Sequence, residues 1–145
     1  MTKTCRLTLF LLLISHLLLP SALFAGEGKA PSPPKKPGRP TLVDAAICEG
    51  VDNRRPVNRA VVFSMTLGEV ICYTTFDPVP KKTAIFHEWY RKDTLTSKKK
   101  LKLSPPRWSS ISRIQLREAD KGPWRVEIVD DRGKVYRTLR FSITD

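Results

Sequence analysis

Apolar and polar side chains alternate over the last third of this chain, and this alternation restricts the fold more than any other feature. Within Trp124–Val129, the apolar Trp124, Val126 and Ile128 occupy every second position, with charged residues between them. Successive side chains of a β-strand point to opposite faces, so the pattern is typical of a strand with one buried face. No window shows a long apolar period of about 3.6 residues, which indicates little helix.

Short segments rich in β-branched and aromatic residues recur through residues 41–145, with turn residues between them. This spacing predicts an all-β, immunoglobulin-like antiparallel β-sandwich of about seven to eight strands. Asp130–Gly133 lies between the last two segments and predicts a hairpin turn. The predicted strands are 42–48, 59–65, 69–76, 84–92, 98–103, 107–116, 123–129 and 134–144.

The first 25 residues have the layout of a secretory signal peptide. Lys3 and Arg6 precede the apolar run Leu7–Leu19, and Ala25 supplies a small residue for cleavage. The run is shorter than the ~20 apolar residues of a membrane-spanning helix, and Pro20 ends it. We therefore expect an exported protein of the periplasm or cell envelope. The alternative is an uncleaved N-terminal anchor in the inner membrane.

The remaining chain divides into a linker and one domain. Residues 26–40 contain five prolines, three glycines and no large apolar residue, which predicts a disordered linker. Residues 41–145 are long enough to build a single core. Without residues 1–25, 24 Lys and Arg stand against 14 Asp and Glu, a net charge of +10.

This positive charge favours an anionic partner, such as an envelope glycan or another anionic polymer. Nucleic acid would suit the charge equally well, but the export signal argues against it. We expect contact with a membrane only if the signal is retained as an anchor.

Two cysteines remain after the signal, Cys48 and Cys72. An oxidising compartment favours a disulfide between them, which would stabilise the fold by about 3–4 kcal/mol in the chain-entropy model. The alternative is a pair of buried free thiols. One histidine (His87) and no Cys-x-x-Cys spacing give no pattern for a metal site, and we expect no cofactor.

The strand predicted at 84–92 has two different faces. Burying an ionised Glu88 would cost more than burying a neutral His87 with one hydrogen bond, so His87 and Trp89 are predicted to face the core. Phe86 and Tyr90 then flank Glu88 on a partly exposed face. A functional interpretation of this string is an aromatic platform for a sugar ring or an extended peptide.

Basic residues complete the candidate binding set. The lysines at 98–100 indicate either a charged edge strand that discourages aggregation or, with Lys81, Lys82, Arg91 and Lys92, a patch for an anionic surface. Trp108 and Trp124 are predicted to lie in the core, with Arg107 and Arg113 on the opposite face from Trp108. The candidate binding residues are Phe86, Glu88, Tyr90, Lys98, Lys99, Lys100, Arg107, Arg113 and Arg125.

Catalytic patterns are weak in this sequence. A serine nucleophile would need a base, and His87 is the one histidine after the signal. There is also no Gly-x-Ser-x-Gly elbow. We therefore predict no catalytic residues and a protein that is not an enzyme.

A series of anchor residues runs through the domain in a fixed order: Cys48, Arg55-Pro56-Val57, Phe63, Glu69–Tyr73, His87-x-Trp89-Tyr90, Trp108, Ser112, Gly122-x-Trp124-Arg125-Val126, Gly133 and Phe141. This series resembles an uncharacterised bacterial family, domain of unknown function 2914, over about residues 43–143. Ser109 departs from the family pattern, which has an arginine after the tryptophan. The resemblance implies a C-terminal module of exported or membrane-anchored proteins, and it implies neither a reaction nor a ligand.

The sequence thus predicts a non-catalytic envelope module that binds a glycan or anionic polymer through exposed aromatic and basic side chains. The alternative is a structural or interaction module that docks to another periplasmic protein by edge-strand pairing.

Overall fold

A computed structural model describes residues 38–145 of the chain. The predicted signal peptide (1–25) and residues 26–37 of the predicted linker lie outside this range. The described part consists of nine β-strands and two short 3-10 turns, Met65–Leu67 and Glu118–Asp120. The strands are β1 (Leu42–Asp52), β2 (Arg55–Arg59), β3 (Val62–Ser64), β4 (Glu69–Phe76), β5 (Thr83–Arg91), β6 (Thr94–Leu103), β7 (Trp108–Gln115), β8 (Gly122–Asp130) and β9 (Val135–Thr144).

The strands form two sheets, a four-stranded sheet in the order β2-β1-β4-β7 and a five-stranded sheet in the order β3-β9-β8-β5-β6. Every pair is antiparallel except β3–β9, which is parallel. The runs β1-β4-β7 and β6-β5-β8-β9 correspond to strands A-B-E and C′-C-F-G of an immunoglobulin sandwich. The predicted all-β sandwich is therefore confirmed. The predicted strand 59–65 is instead two short strands, β2 and β3, on different sheets.

The core lies between the two sheets. Trp89 on β5 is fully buried, and its ring makes an edge contact with Phe141 on β9 at 6.1 Å between centroids. Trp124 stacks on the same Phe141 ring at 6.2 Å, and Val126 is buried in the same cluster. These contacts confirm the predicted core positions of Trp89 and Trp124. A second cluster around Phe76 fills the other end of the sandwich.

The predicted disulfide between Cys48 and Cys72 is not formed, and both residues are buried free thiols. In the β1–β4 pairing, Cys48 is opposite Ile71, whereas Cys72 is opposite Ile47. Directly paired residues share a face and successive residues alternate, so the two cysteines point to opposite faces of the four-stranded sheet. Cys72 lies in the core between the sheets, and Cys48 lies in a separate buried cluster with Ile71. A bridge would require a shift of register by one residue.

Trp108 is also placed differently from the prediction, since it is 41% exposed. It is the first residue of β7, which is an edge strand of the four-stranded sheet. The inward contacts of β7 come from Ser112, which is buried, and from Ile114, which packs against the main core cluster. The prediction was wrong because alternation alone does not show where a strand passes beyond the end of the core.

The predicted hairpin turn between β8 and β9 is present. The Gly133 N–H donates to the Asp130 carbonyl, and one Asp130 carboxylate oxygen accepts the N–H groups of Arg132 and Lys134. The other carboxylate oxygen is 2.6 Å from a guanidinium nitrogen of Arg39, which comes before the first strand. The end of the predicted linker is therefore attached to the domain from Arg39 onward. Among residues 38–145, no helix has the length and apolar character needed to cross a membrane.

Candidate functional site

The outward face of β5 has the orientation that the sequence predicts. His87 and Trp89 are fully buried, whereas Phe86, Glu88 and Tyr90 are half-buried on the opposite face. The sequence therefore identified correctly which side of this strand packs against the core.

The two rings of this face are covered by cations of the same sheet. The Lys98 ammonium lies 4.5 Å from the centre of the Phe86 ring, and the Arg125 guanidinium lies 4.1 Å from the centre of the Tyr90 ring. A cation–π contact of this kind occupies one face of a ring, so one face of Phe86 and one face of Tyr90 are already covered by cations of the same sheet.

Charges on this face also neutralise one another. The Lys98 ammonium is 2.7 Å from a Glu88 carboxylate oxygen, and Tyr90 donates to the other oxygen at 2.8 Å. The hydrogen bond from Lys98 lowers the pKa of Glu88 despite its partial burial. Arg125 is paired with Glu127 at 2.9 Å and with Asp93.

The remaining predicted binding residues do not join this face. Lys99 and Lys100 lie on β6, the edge strand of the five-stranded sheet. Arg113 lies on the other sheet, 3.1 Å from Glu69, and Arg107 precedes β7, 3.5 Å from Asp77. The predicted set is therefore divided between two surfaces and does not form one site.

His87 crosses the core between the sheets. Its Nδ1 is 2.8 Å from the Ser112 hydroxyl on β7, and its Nε2 is 3.2 Å from the Thr74 hydroxyl on β4. The Trp89 indole N–H donates to the same Ser112 oxygen at 3.0 Å, and Thr74 donates to the Ser110 carbonyl at 3.4 Å. Four polar side chains thus satisfy one another inside the sandwich.

The directions of these hydrogen bonds define the histidine tautomer. Thr74 donates its proton to the Ser110 carbonyl, so its oxygen accepts the proton on Nε2 of His87. In the neutral ring Nδ1 then carries no proton and accepts from Ser112, whose oxygen accepts from Trp89. Burial lowers the pKa of His87 to about 3, which keeps the ring neutral. The Ser112–His87 pair is closed to a substrate because both residues are buried.

A groove of about 1070 Å³ lies on the outer face of the four-stranded sheet. Its charged lining comes from four arginines and one aspartate, its floor carries three hydroxyl groups, and one exposed tryptophan also lines it. We call it the arginine groove. The charged residues are Asp44, Arg54, Arg55, Arg59 and Arg107, and the hydroxyl and aromatic residues are Tyr73, Thr75, Trp108 and Ser109.

One wall of the arginine groove is the hairpin between β1 and β2. Its central residues, Asn53 and Arg54, have φ values of 45° and 60°. Two positive φ values are typical of a type I′ turn, in which glycine is favoured at the second position. The Tyr73 hydroxyl donates to the Arg54 carbonyl at 2.8 Å and attaches this hairpin to the sheet.

The floor of the arginine groove is a cluster of hydroxyl groups. The Thr75 hydroxyl donates to the Tyr73 oxygen at 2.6 Å. The Ser109 oxygen is 2.8 Å from the Thr75 oxygen and 3.2 Å from the Tyr73 oxygen. Tyr73 and Thr75 are buried, and Ser109 is half-buried where it lines the groove.

The charge of the arginine groove is strongly positive. Arg59 forms a two-pronged pair with Asp44 at 2.9 and 2.5 Å, and the hydrogen bond from Arg59 lowers the pKa of Asp44. Among residues 38–145, neither Arg54 nor Arg55 forms an ion pair. Two guanidinium groups are thus available to an anionic ligand beside the exposed Trp108.

Sequence reasoning included Arg107 and missed the other arginines of this groove. The sequence motifs single out Arg55 only through the family resemblance, and they do not single out Arg54. The pair Asn53-Arg54 between two extended segments was the available signal, because Asn favours positive φ at a hairpin turn. Within residues 38–145, no group of three or more His, Cys, Asp or Glu side chains could hold a metal ion.

A family model matches the C-terminal part of the domain. Residues 82–143, from the start of β5 to near the end of β9, match a family model, whereas residues 43–81 of the resemblance lie outside that match. No curated protein matches the chain. Over residues 82–143, the chain therefore matches the family described as "Protein of unknown function (DUF2914)", as its sequence motifs predict.

Proposed function

We propose that this protein is an exported, non-catalytic module that binds an anionic glycan or polymer of the cell envelope in the arginine groove. The observation that carries the proposal is the pair Arg54 and Arg55, which has no carboxylate partner in the described part of the chain and lies in an open groove with the exposed Trp108. Guanidinium groups bind carboxylates and phosphates in a two-pronged geometry, and an exposed indole provides an apolar contact.

The charge of the whole chain supports an anionic partner. The net charge of the full sequence is +12. On the outer face of the five-stranded sheet, several cations already contact aromatic rings or carboxylates of that same face. The arginine groove is therefore a region where positive charge remains available for a ligand.

The lining of the arginine groove favours binding over catalysis. Its one carboxylate, Asp44, is held by Arg59, and the resulting low pKa makes it a poor proton donor near neutral pH. The groove lining contains no histidine or cysteine. The one histidine of the described residues is in the core, away from any ligand.

The proposed export depends on the sequence of residues 1–25, which lie outside the described residues. An envelope location would place the domain beside acidic glycans and lipopolysaccharide, which supply the anionic groups that arginine recognises.

Charge reversal tests the proposed site. The double variant Arg54→Glu, Arg55→Glu changes the charge of the groove, and Lys99→Glu, Lys100→Glu makes the same charge change on β6. We expect the arginine variant to lose at least tenfold in retention on purified cell-wall or lipopolysaccharide fractions, and the lysine variant to change by less than about threefold. Thermal unfolding checks that both variants fold. Equal losses in both variants, or a loss in the lysine variant alone, would overturn the assignment to the groove.

Docking to another envelope protein is a second candidate, and it is favoured by the edge position of β7. This strand has eight residues and one charged side chain, Arg113, so its edge has little of the lysine protection seen on β6. Edge pairing uses main-chain hydrogen bonds. A co-purifying envelope protein that is retained by Arg54→Glu, Arg55→Glu and insensitive to salt would support this candidate over the first.

A further inference from the structure

We propose that the ligand of the arginine groove is an acidic saccharide, that is, a sugar chain with anionic groups beside free hydroxyl groups. This inference rests on the proposed function and narrows the class of ligand. It follows from the direction of the hydrogen bonds on the groove floor, together with the positions of Trp108, Arg54 and Arg55.

The hydrogen bonds on the groove floor have defined donors and acceptors. The Tyr73 hydroxyl gives its proton to the Arg54 carbonyl, and the Thr75 hydroxyl gives its proton to the Tyr73 oxygen. A hydroxyl group has one proton to donate. Ser109 must therefore be the donor in its own contact, to Thr75 at 2.8 Å or to Tyr73 at 3.2 Å.

Ser109 consequently faces the groove with acceptor capacity and no free proton. A hydroxyl oxygen has two lone pairs, and neither is used by the contacts to Tyr73 and Thr75. The group that satisfies this oxygen has to be a hydrogen-bond donor. Sugar hydroxyls donate, whereas fully ionised phosphate chains only accept.

Arg54 and Arg55 require a hydrogen-bond acceptor in the ligand, whereas Ser109 requires a donor. Guanidinium groups are donors only, and Arg54 and Arg55 line the same groove as Ser109. A ligand that satisfies both the arginines and Ser109 carries an anionic acceptor group and a hydroxyl donor, close enough together to lie in the groove at the same time. Acidic sugars combine these groups, and polyphosphate does not.

Trp108 adds an apolar surface to this combination. Trp108 is 41% exposed and lines the groove, whereas Trp89 and Trp124 are buried. The C–H face of a sugar ring can lie against an indole and remove both apolar surfaces from water.

The conformation of the hairpin agrees with a binding role. Arg54 holds a positive φ that favours glycine, and functional sites commonly retain residues in such conformations.

Three small probes of similar length separate these features: trigalacturonate, maltotriose and tripolyphosphate. Binding of each to the full chain is measured by calorimetry at equal ionic strength. We expect trigalacturonate to bind at least tenfold tighter than maltotriose, which lacks the anion, and at least tenfold tighter than tripolyphosphate, which lacks the hydroxyls.

Two serine variants provide the matched comparison. Ser109→Ala removes the acceptor oxygen and should weaken trigalacturonate about three- to tenfold, with tripolyphosphate unchanged. Ser110→Ala alters the neighbouring serine and should leave both probes unchanged. Trp108→Ala should weaken trigalacturonate and maltotriose by about tenfold and tripolyphosphate by less than threefold, and Trp108→Phe should restore part of that loss.

The outcomes distinguish this inference from the proposed function. If tripolyphosphate binds as tightly as trigalacturonate, and Arg54→Ala weakens both while Ser109→Ala weakens neither, the groove binds anions and the saccharide assignment is overturned. If neither anion binds at millimolar concentration, the proposed function and this inference are both overturned.

Discussion

At the scale of single residues, His87 shows how a polar side chain can belong to the core of a sandwich. Both of its ring nitrogens have hydroxyl partners from the opposite sheet, Ser112 and Thr74. The neutral ring is therefore satisfied, and a second proton on the ring would displace the proton that Ser112 donates to Nδ1. Burial lowers its pKa to about 3, well below the value of 6.5 for an exposed imidazole.

This pKa makes the stability of the domain pH-dependent. The unfolded chain binds a proton on His87 below about pH 6.5, whereas the folded protein does not until about pH 3, so acidification favours unfolding. We expect the free energy of unfolding to fall by about 2 kcal/mol between pH 7.5 and pH 5, measured by urea denaturation. Stability that Glu88 and Asp44 contribute through their lowered pKa values is lost only at lower pH, below about 4.5.

The same prediction has a direct spectroscopic check. His87 is the only histidine after residue 25, so its imidazole signals are unambiguous in the NMR spectrum of the chain without the signal. They should not titrate between pH 7.5 and pH 5 in the folded protein. A titration midpoint near 6.5 would show that the ring is accessible and that the proposed hydrogen-bond arrangement is wrong.

At the scale of elements, the β1–β2 hairpin forms a wall of the arginine groove because Tyr73 holds it. Tyr73→Phe removes the hydroxyl that bonds to the Arg54 carbonyl and to Thr75, so we expect a loss of about 1–2 kcal/mol of stability. Amide exchange in β2 should become faster. Tyr90→Phe is the matched control, because its hydroxyl bonds to Glu88 on a half-exposed face and its loss should cost less. Equal costs, with unchanged exchange in β2, would contradict the role given to Tyr73.

The lysines of β6 protect an open sheet edge. Lys99 is opposite His87 in the strand pairing and therefore belongs to the core-side face of β6, where it is exposed at the edge. Charged residues that point inward on an edge strand discourage pairing with another sheet. Replacing the lysines at 99, 100 and 102 with threonine should produce concentration-dependent oligomers in size-exclusion chromatography. The same replacement at Lys81, Lys82 and Lys134 makes an equal charge change outside β6 and should leave the protein monodisperse.

The elements also show which features a sequence can predict. The faces of β5 were predictable because one carboxylate and one imidazole differ strongly in their cost of burial. Whether Cys48 and Cys72 lie on the same face was not predictable, because it depends on the register of β1 against β4. The exposure of Trp108 depends on strand order, and the groove depends on pairings between distant segments. Local alternation contains neither kind of information.

At the scale of the whole molecule, the two outer faces of the sandwich differ in how they use charge. The face of the five-stranded sheet places cations over its own aromatic rings and pairs them with carboxylates. The face of the four-stranded sheet contains the arginine groove, where Arg54 and Arg55 lack such partners among the described residues. Arg54 and Arg55 are therefore two guanidinium groups that remain available to an anionic group.

The proposed location depends on processing of the N-terminus. If residues 1–25 are a cleaved signal, protein recovered from the periplasm should begin at or near Gly26, which N-terminal sequencing or intact mass can establish. An intact Met1 on membrane-bound protein would support the anchored alternative. In that case, residues from Gly26 to the attachment at Arg39 would connect the anchor to the domain.

We propose that the arginine groove, and not the aromatic face of β5, is the ligand site. The most direct test is an amide chemical-shift map of the ¹⁵N-labelled protein during titration with trigalacturonate at low salt. We expect the largest shifts at Arg54, Arg55 and Ser109 and at the indole N–H of Trp108, with the amides of Phe86 and Tyr90 unchanged. Shifts centred on Phe86 and Tyr90 with a silent groove would contradict it.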